Sequence, residues 1–251
     1  MTAHLPRNIE ICVENTDGLI AAQNAGADRV ELCASLLEGG LTPSIGMVRE
    51  AQRVAKIPFF VMVRPRGGDF LYSDIEFAAM LTDVNALREL GVAGVVVGCL
   101  TAEGEIDEAR MRALVESARP LSVTCHRAFD MTRDVLAAVE ALVGCGVDRV
   151  LTSGQRDTAV EGIETIRATV EVARGRLTVM ACGGLDAHNV ALIRDETRAP
   201  ELHFAALRTE RSRMRYRNSA VGMGGTALER EYTNQITDEE AVRATIAAAR
   251  S

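Results

Sequence analysis

Eight short apolar runs, each followed by a longer stretch with helical spacing, occupy the length of the chain and leave it few folds. The runs are Ile9–Val13, Arg29–Cys33, Phe59–Arg64, Gly94–Gly98, Ser122–His126, Arg149–Ser153, Thr178–Cys182 and Leu202–Ala206. Such brief apolar runs between turn residues are what strands covered on both faces require. The intervening helical stretches are Asp17–Ala25, Ser44–Val54, Asp74–Leu90, Asp107–Ala118, Arg133–Gly144, Ala159–Val172, Ala187–Asp195 and Asp238–Ala249. Eight strand–helix units in 251 residues predict one domain, an α/β fold of the TIM (β/α)8 barrel type. An open doubly wound sheet is the competing arrangement. No GxGxxG follows the first run, which removes the commonest dinucleotide-binding version of that sheet, and no nucleotide cofactor is expected.

Punctuation between the runs agrees with this reading. Ser73 with Glu76 forms a capping-box pattern, Thr42–Pro43 reads as a helix start, and Asp107, Thr132 and Asp186 read as further caps. Gly26, Gly91 and Gly146 stand where a helix ends in the left-handed conformation. AGADRVEL, LGVAGVVV and CGVDRVLT precede the second, fourth and sixth strands in the same way, an echo of a two-strand unit repeated round a ring. The segment 206–235 reads as a long irregular connection after the eighth strand, rich in arginine and ending near VGMGG at Val221–Gly225. A connection of that length can cover the barrel mouth or meet a partner.

Charge and cysteine usage narrow the function. A net charge of −7 argues against a general nucleic-acid or anionic-membrane surface, and no segment has the apolar length of a membrane span or signal peptide. Six cysteines without a CxxC pair point to free thiols in the cytoplasm rather than a zinc ribbon or redox dithiol.

Polar residues at the strand ends are the candidates for chemistry. Glu10 and Glu31 are carboxylates in apolar strands, where each needs a partner or a proton; if both point inward, Cys12 and Cys33 do too. Arg64 and Arg66, followed by Gly67–Gly68, can pair with those acids, clamp an anionic ligand, or do both. His126 ends the fifth strand beside Arg127 and Asp130 and can act as an acid/base, ligate a soft metal, or simply be held by a carboxylate. Cys125 should face the opposite way, into the helix layer. Ser153–Gly154, Gly183–Gly184 and His203 lie at the ends of or within the last three strands, where hydroxyl and backbone N–H groups can cradle an anion. His4 and His188 read as surface residues.

GADRVELCASLLEGGLTPS at Gly26–Ser44, VMVRPRGGDFLYSD at Val61–Asp74, VTCHRAFD at Val123–Asp130 and DRVLTSG at Asp148–Gly154 resemble the copper homeostasis protein CutC family. The resemblance covers nearly the whole chain and implies a cytoplasmic TIM barrel that forms homo-oligomers, a dimer foremost. It implies copper handling, with Cu(I) carried by Cys12 and Cys33, and a barrel-mouth set of Glu10, Glu31, Arg64, Arg66, His126, Arg127, Asp130 and Ser153. Two other functions stay open. One is an enzyme moving a proton on a small phosphorylated or carboxylated metabolite, with His126, Glu10, Glu31 and Asp130 as catalytic groups. In that enzyme Arg64, Arg66, Arg127, Ser153, Gly154, Gly183 and Gly184 would bind the anion. The other is an interaction protein using segment 206–235.

Overall fold

In the computed structural model, which describes residues 6, 8–218, 220–222 and 228–251, eight parallel strands close into a barrel in chain order. They are β1 (Asn8–Val13), β2 (Arg29–Leu32), β3 (Phe59–Met62), β4 (Gly94–Val97), β5 (Ser122–Cys125), β6 (Arg149–Thr152), β7 (Thr178–Ala181) and β8 (Glu201–Phe204). β1 closes the ring by pairing with β8, placing Glu10 opposite His203 and Ile11 opposite Phe204. Helices α1 (Thr16–Ala25), α2 (Ile45–Val54), α3 (Asp74–Leu90), α4 (Glu108–Ala118), α5 (Val135–Cys145), α6 (Ile163–Ala173), α7 (Val190–Thr197) and α8 (Glu239–Arg250) form the outer layer. The expected TIM barrel is therefore the fold.

Strand parity decides what goes where. Ile9, Ile11, Val13, Val30 and Leu32 face the helices and join one large core with Leu19, Val48 and Val242. The alternate residues point into the barrel, where Cys12, Cys33, Phe60, Met62 and Val96 form one apolar patch and Leu151, Met180 and Cys182 another. Cys125 packs in the helix-side core, opposite to His126, as its parity requires. All six cysteines are free and buried.

Local signals at the helix ends are mostly those expected. Ser73 accepts from Glu76 N while Glu76 accepts from Ser73 N, the reciprocal capping box, and Asp107 accepts from Arg110 N at 3.0 Å. Gly26, Gly91 and Gly146 end their helices at positive φ. Three caps differ. Ser44, not Thr42, caps α2; Thr42 instead binds β3's continuation, its hydroxyl accepting from Arg64 N at 2.9 Å. Asp134, not Thr132, caps α5. Asp186 caps a turn, accepting from His188 N at 2.8 Å, and α7 begins later at Val190.

Segment 206–235 is not irregular throughout. β9 (Leu207–Arg211) and β10 (Thr233–Thr237) form an antiparallel ribbon outside the barrel, with Thr209 opposite Gln235. His4 and residues 223–225 of the VGMGG stretch lie outside the described residues. Among the described residues, no helix is long and apolar enough to cross a membrane.

Candidate functional site

The amino-terminal end of the barrel interior holds a buried ionic network. Arg29 enters β2 pointing inward and donates to Glu10 and, at 2.6 Å, to Glu201. Arg149 enters β6 the same way and donates to Glu201 at 2.6 Å. The Phe60 ring lies between both guanidiniums, 4.7 Å from one and 5.3 Å from the other. Glu10 also accepts from His203 Nδ1 at 2.8 Å. Burial pushes the Glu10 carboxyl up, but the His203 hydrogen bond and the Arg29 charge outweigh it and hold the group down at about 2.

The echo between AGADRVEL and CGVDRVLT has a structural meaning here. In each, the arginine of DRV reaches Glu201 and the aspartate accepts from the backbone of the preceding strand: Asp28 from Ile9 N at 2.7 Å, Asp148 from Val123 N at 2.8 Å. Of the roles open to Arg64 and Arg66, pairing with Glu10 falls instead to Arg29, while Glu31 has His203 as its neighbour. Arg29 and Arg149 share Glu201, and the repeated DRV is the sequence signal for that pair.

Above the network, a cavity of about 250 Å³ opens at the carboxyl ends of the strands. Cys12, Glu31, Met62, Arg64, His126, Arg127, Cys182, Gly183, Gly184 and His203 are among its walls. This is the end of a (β/α)8 barrel at which sites are built. Arg64 is buried because its guanidinium replaces water with carbonyls: Nη1 donates to Glu38 O and Gly40 O, Nη2 to Gly68 O at 2.9 Å. Among the described residues its Nε–H meets no acceptor in hydrogen-bond geometry, and the Tyr72 hydroxyl stands near the guanidinium.

His126 lies over Gly98, where a Cβ would stand only 2.5 Å from its Cε1. Nδ1 accepts from Ala128 N at 3.1 Å, so the neutral ring carries its proton on Nε2, which has no partner. Burial, then the Arg64 charge, push the imidazolium down to about 3. With Nδ1 occupied by Ala128, the neutral ring has an Nε2–H donor to offer. Phe70 joins the two groups, its ring 5.0 Å from the His126 ring and 5.0 Å from the Arg64 guanidinium.

The thiol of Cys12 lines the cavity, and that of Cys33 lies buried beside it. Cys12 Sγ lies 3.3 Å from Cys33 Sγ and donates to Glu31 Oε2 at 3.0 Å. Cys12, Glu31 and Cys33 each offer a ligand atom within 4.8 Å of the others, a buried cluster that can hold a metal ion. The Cys33 contact, burial and the Glu31 charge raise the Cys12 thiol well above its usual range. Burial likewise raises the Glu31 carboxyl. Next to it, His203 Nε2 lies 3.8 Å from Glu31 Oε2. Burial pushes that imidazole down, but the Glu10 hydrogen bond and the Glu31 and Glu10 charges raise it overall.

Other candidates fall outside the cavity. Arg66 turns to the loop before α3, pairing with Glu76 at 2.6 Å and Asp69 at 3.1 Å. Asp130 accepts from Thr152 Oγ1 at 2.6 Å, Ser153 Oγ at 2.9 Å and Gln155 N at 3.2 Å, and pairs with Arg127 at 2.8 Å. Ser153 is spent on that fastening, and Gly154 N donates to Thr152 Oγ1 at 2.9 Å. These contacts fasten the β6–α6 loop, and Arg127 lines the cavity as well. His188 is exposed.

Comparison with known proteins agrees with this geometry. The profile of the CutC family matches residues 7–208. A CutC family protein of Mesorhizobium japonicum is 63% identical over 243 residues, 97% of this chain and 94% of the relative. The human copper homeostasis protein cutC homolog is 44% identical over 235 residues, 94% and 86% of the two chains. The crystal structure of CutC from Streptococcus agalactiae superposes with a TM-score of 0.75 at 35% identity, over 78% of this chain and 97% of that one. The chain belongs to the CutC family.

Proposed function

We propose that this protein binds Cu(I) through Cys12 and Cys33 and serves in copper handling. One observation carries the reading: two buried thiols in hydrogen-bond contact, 3.3 Å between sulfurs, with Cys12 lining the cavity and Cys33 directly behind it. The donor set suits a soft monovalent ion. Thiolate and thioether sulfur favour Cu(I), and Met62 packs in the same patch as both cysteines. Glu31, the third member of the cluster, is a hard oxygen ligand and adds little for such an ion. The human relative's name, a copper homeostasis protein, supports the same assignment.

Binding must displace the Cys12 proton, because the thiolate is the ligand and this thiol is raised well above its usual range. Affinity therefore rises with pH. Each proton released makes it about ten-fold tighter per pH unit. An anaerobic titration against a chromophoric Cu(I) chelator, with wild type beside a Cys12→Ser/Cys33→Ser double variant, tests the assignment. Wild type should withdraw one equivalent of copper and the variant none. Equal competition by both proteins would end it.

A further inference from the structure

We propose that the wall of this cavity is a binding site for a small hydroxy acid, adjoining the thiol pair through Glu31 but argued without the copper reading. Four buried side-chain polar atoms lack a hydrogen-bond partner among the described residues, and three of them belong to cavity-lining residues. They are Glu31 Oε1, Arg64 Nε and His126 Nε2, on residues 2%, 6% and 3% exposed. The fourth, Tyr72 Oη, belongs to no lining residue and stands beside the Arg64 guanidinium, whose charge favours its ionised form against the effect of burial. Buried polar atoms are almost always satisfied, so three left open on one cavity describe the ligand that completes them.

Their chemistry specifies its class. Arg64 brings a fixed positive charge and an N–H, and His126 brings a neutral N–H donor held by its bond to Ala128. Two N–H donors on residues lining one cavity, one of them cationic, match a carboxylate. A dianionic phosphate is served less well, since Arg127 is committed to Asp130 and Ser153. Glu31 Oε1 asks for a second group. A hydroxyl fits it whether the carboxyl is ionised or protonated, because a hydroxyl both donates and accepts. The cavity, about 250 Å³, is smaller than the roughly 300–1,000 Å³ of drug-sized sites and admits only a compact molecule.

The test is calorimetric titration of the full chain in reducing buffer with glycolate, acetate and inorganic phosphate at matched ionic strength. Glycolate should bind saturably, about three- to ten-fold more tightly than acetate, the worth of one neutral hydrogen bond. His126→Phe, which keeps the ring over Phe70 and removes the donor, should weaken glycolate by about ten-fold or more while leaving Cu(I) uptake intact. Glu31→Gln should keep the preference for glycolate over acetate, since an amide also donates and accepts. Glycolate should also shift the His126 Nε2–H resonance in the unmodified protein, so the readout does not depend on any variant folding. Absence of saturable binding, preference for phosphate, or unchanged glycolate affinity in His126→Phe would each overturn the proposal. Loss of copper binding in the double cysteine variant with glycolate binding retained separates the two readings.

Discussion

The two ends of the barrel interior treat buried polarity in opposite ways. At the amino-terminal end, Arg29, Arg149, Glu10 and Glu201 satisfy one another across strands β1, β2, β6 and β8. At the carboxyl-terminal end, the same closed cylinder leaves Glu31 Oε1, Arg64 Nε and His126 Nε2 without partners. A satisfied network of this kind is a structural part of the interior. Unsatisfied atoms persist only where something else repays them, so the contrast separates scaffold from site without reference to which residues are charged.

The largest effect should come from breaking the satisfied end. Arg29→Met leaves two buried carboxylates without their shared guanidinium and should cost about 3–5 kcal/mol in denaturant unfolding. A loss below about 1 kcal/mol would show that water or His203 replaces the arginine, and the distinction between the two ends would weaken. Asp130→Ala comes next. It strands the Thr152 hydroxyl, Ser153 N and Gln155 N in a partly buried loop, at about 2–3 kcal/mol. Glycolate and copper binding should change far less than stability. If binding falls while stability holds, Asp130 acts on the site and not on the loop.

The two buried histidines sharpen the comparison through pH. His126 is depressed in the folded state to about 3, so folding favours its neutral form. The unfolded chain binds the extra proton below about 6.5, and stability present above that pH is lost as pH falls. The loss grows by about 1.4 kcal/mol per unit below pH 6.5, and His126→Phe should remove it. His203 is raised, with the opposite sign. Its contribution is whole below the unfolded value and is lost as pH rises through the folded one. Carbon-bound proton shifts of the two rings should titrate on opposite sides of 6.5. Both rings titrating together near that value would remove the electrostatic distinction between them.

Much of this was legible in the sequence, for a physical reason. Buried parallel strands leave a mark that needs no partner to read: apolar runs between helix caps and terminal glycines, as at Gly26, Gly91 and Gly146. Parity then placed Glu10, Cys12, Glu31 and Cys33 inside the barrel, and the structure brings the last three together. Parity gives a side, not a distance. That is why Arg29, Arg149 and Glu201, the charged entry residues of β2, β6 and β8, went unrecognised although DRV occurs twice. Likewise β9 and β10 pair only with each other in an exposed ribbon, so no apolar pattern announces them.

Arg64 and Arg66 give the smallest and most local test of the same distinction. Alternation put both on one face, which holds only while the strand continues. β3 ends at Met62, and Thr42 then takes over both backbone groups of residue 64, its N–H donating to Arg64 O at 3.0 Å. Beyond that point the chain turns, and Arg66 lies over the Tyr72 ring with its charge shared by Glu76 and Asp69. Its side chain is 35% exposed, so these pairs are screened by water. Arg66→Ala should therefore cost no more than about 1 kcal/mol and leave both copper and glycolate titrations unchanged. A variant that folds normally yet loses glycolate would mean that Arg66 reaches the ligand in solution, and the boundary drawn here between loop and cavity would have to move outward to include it.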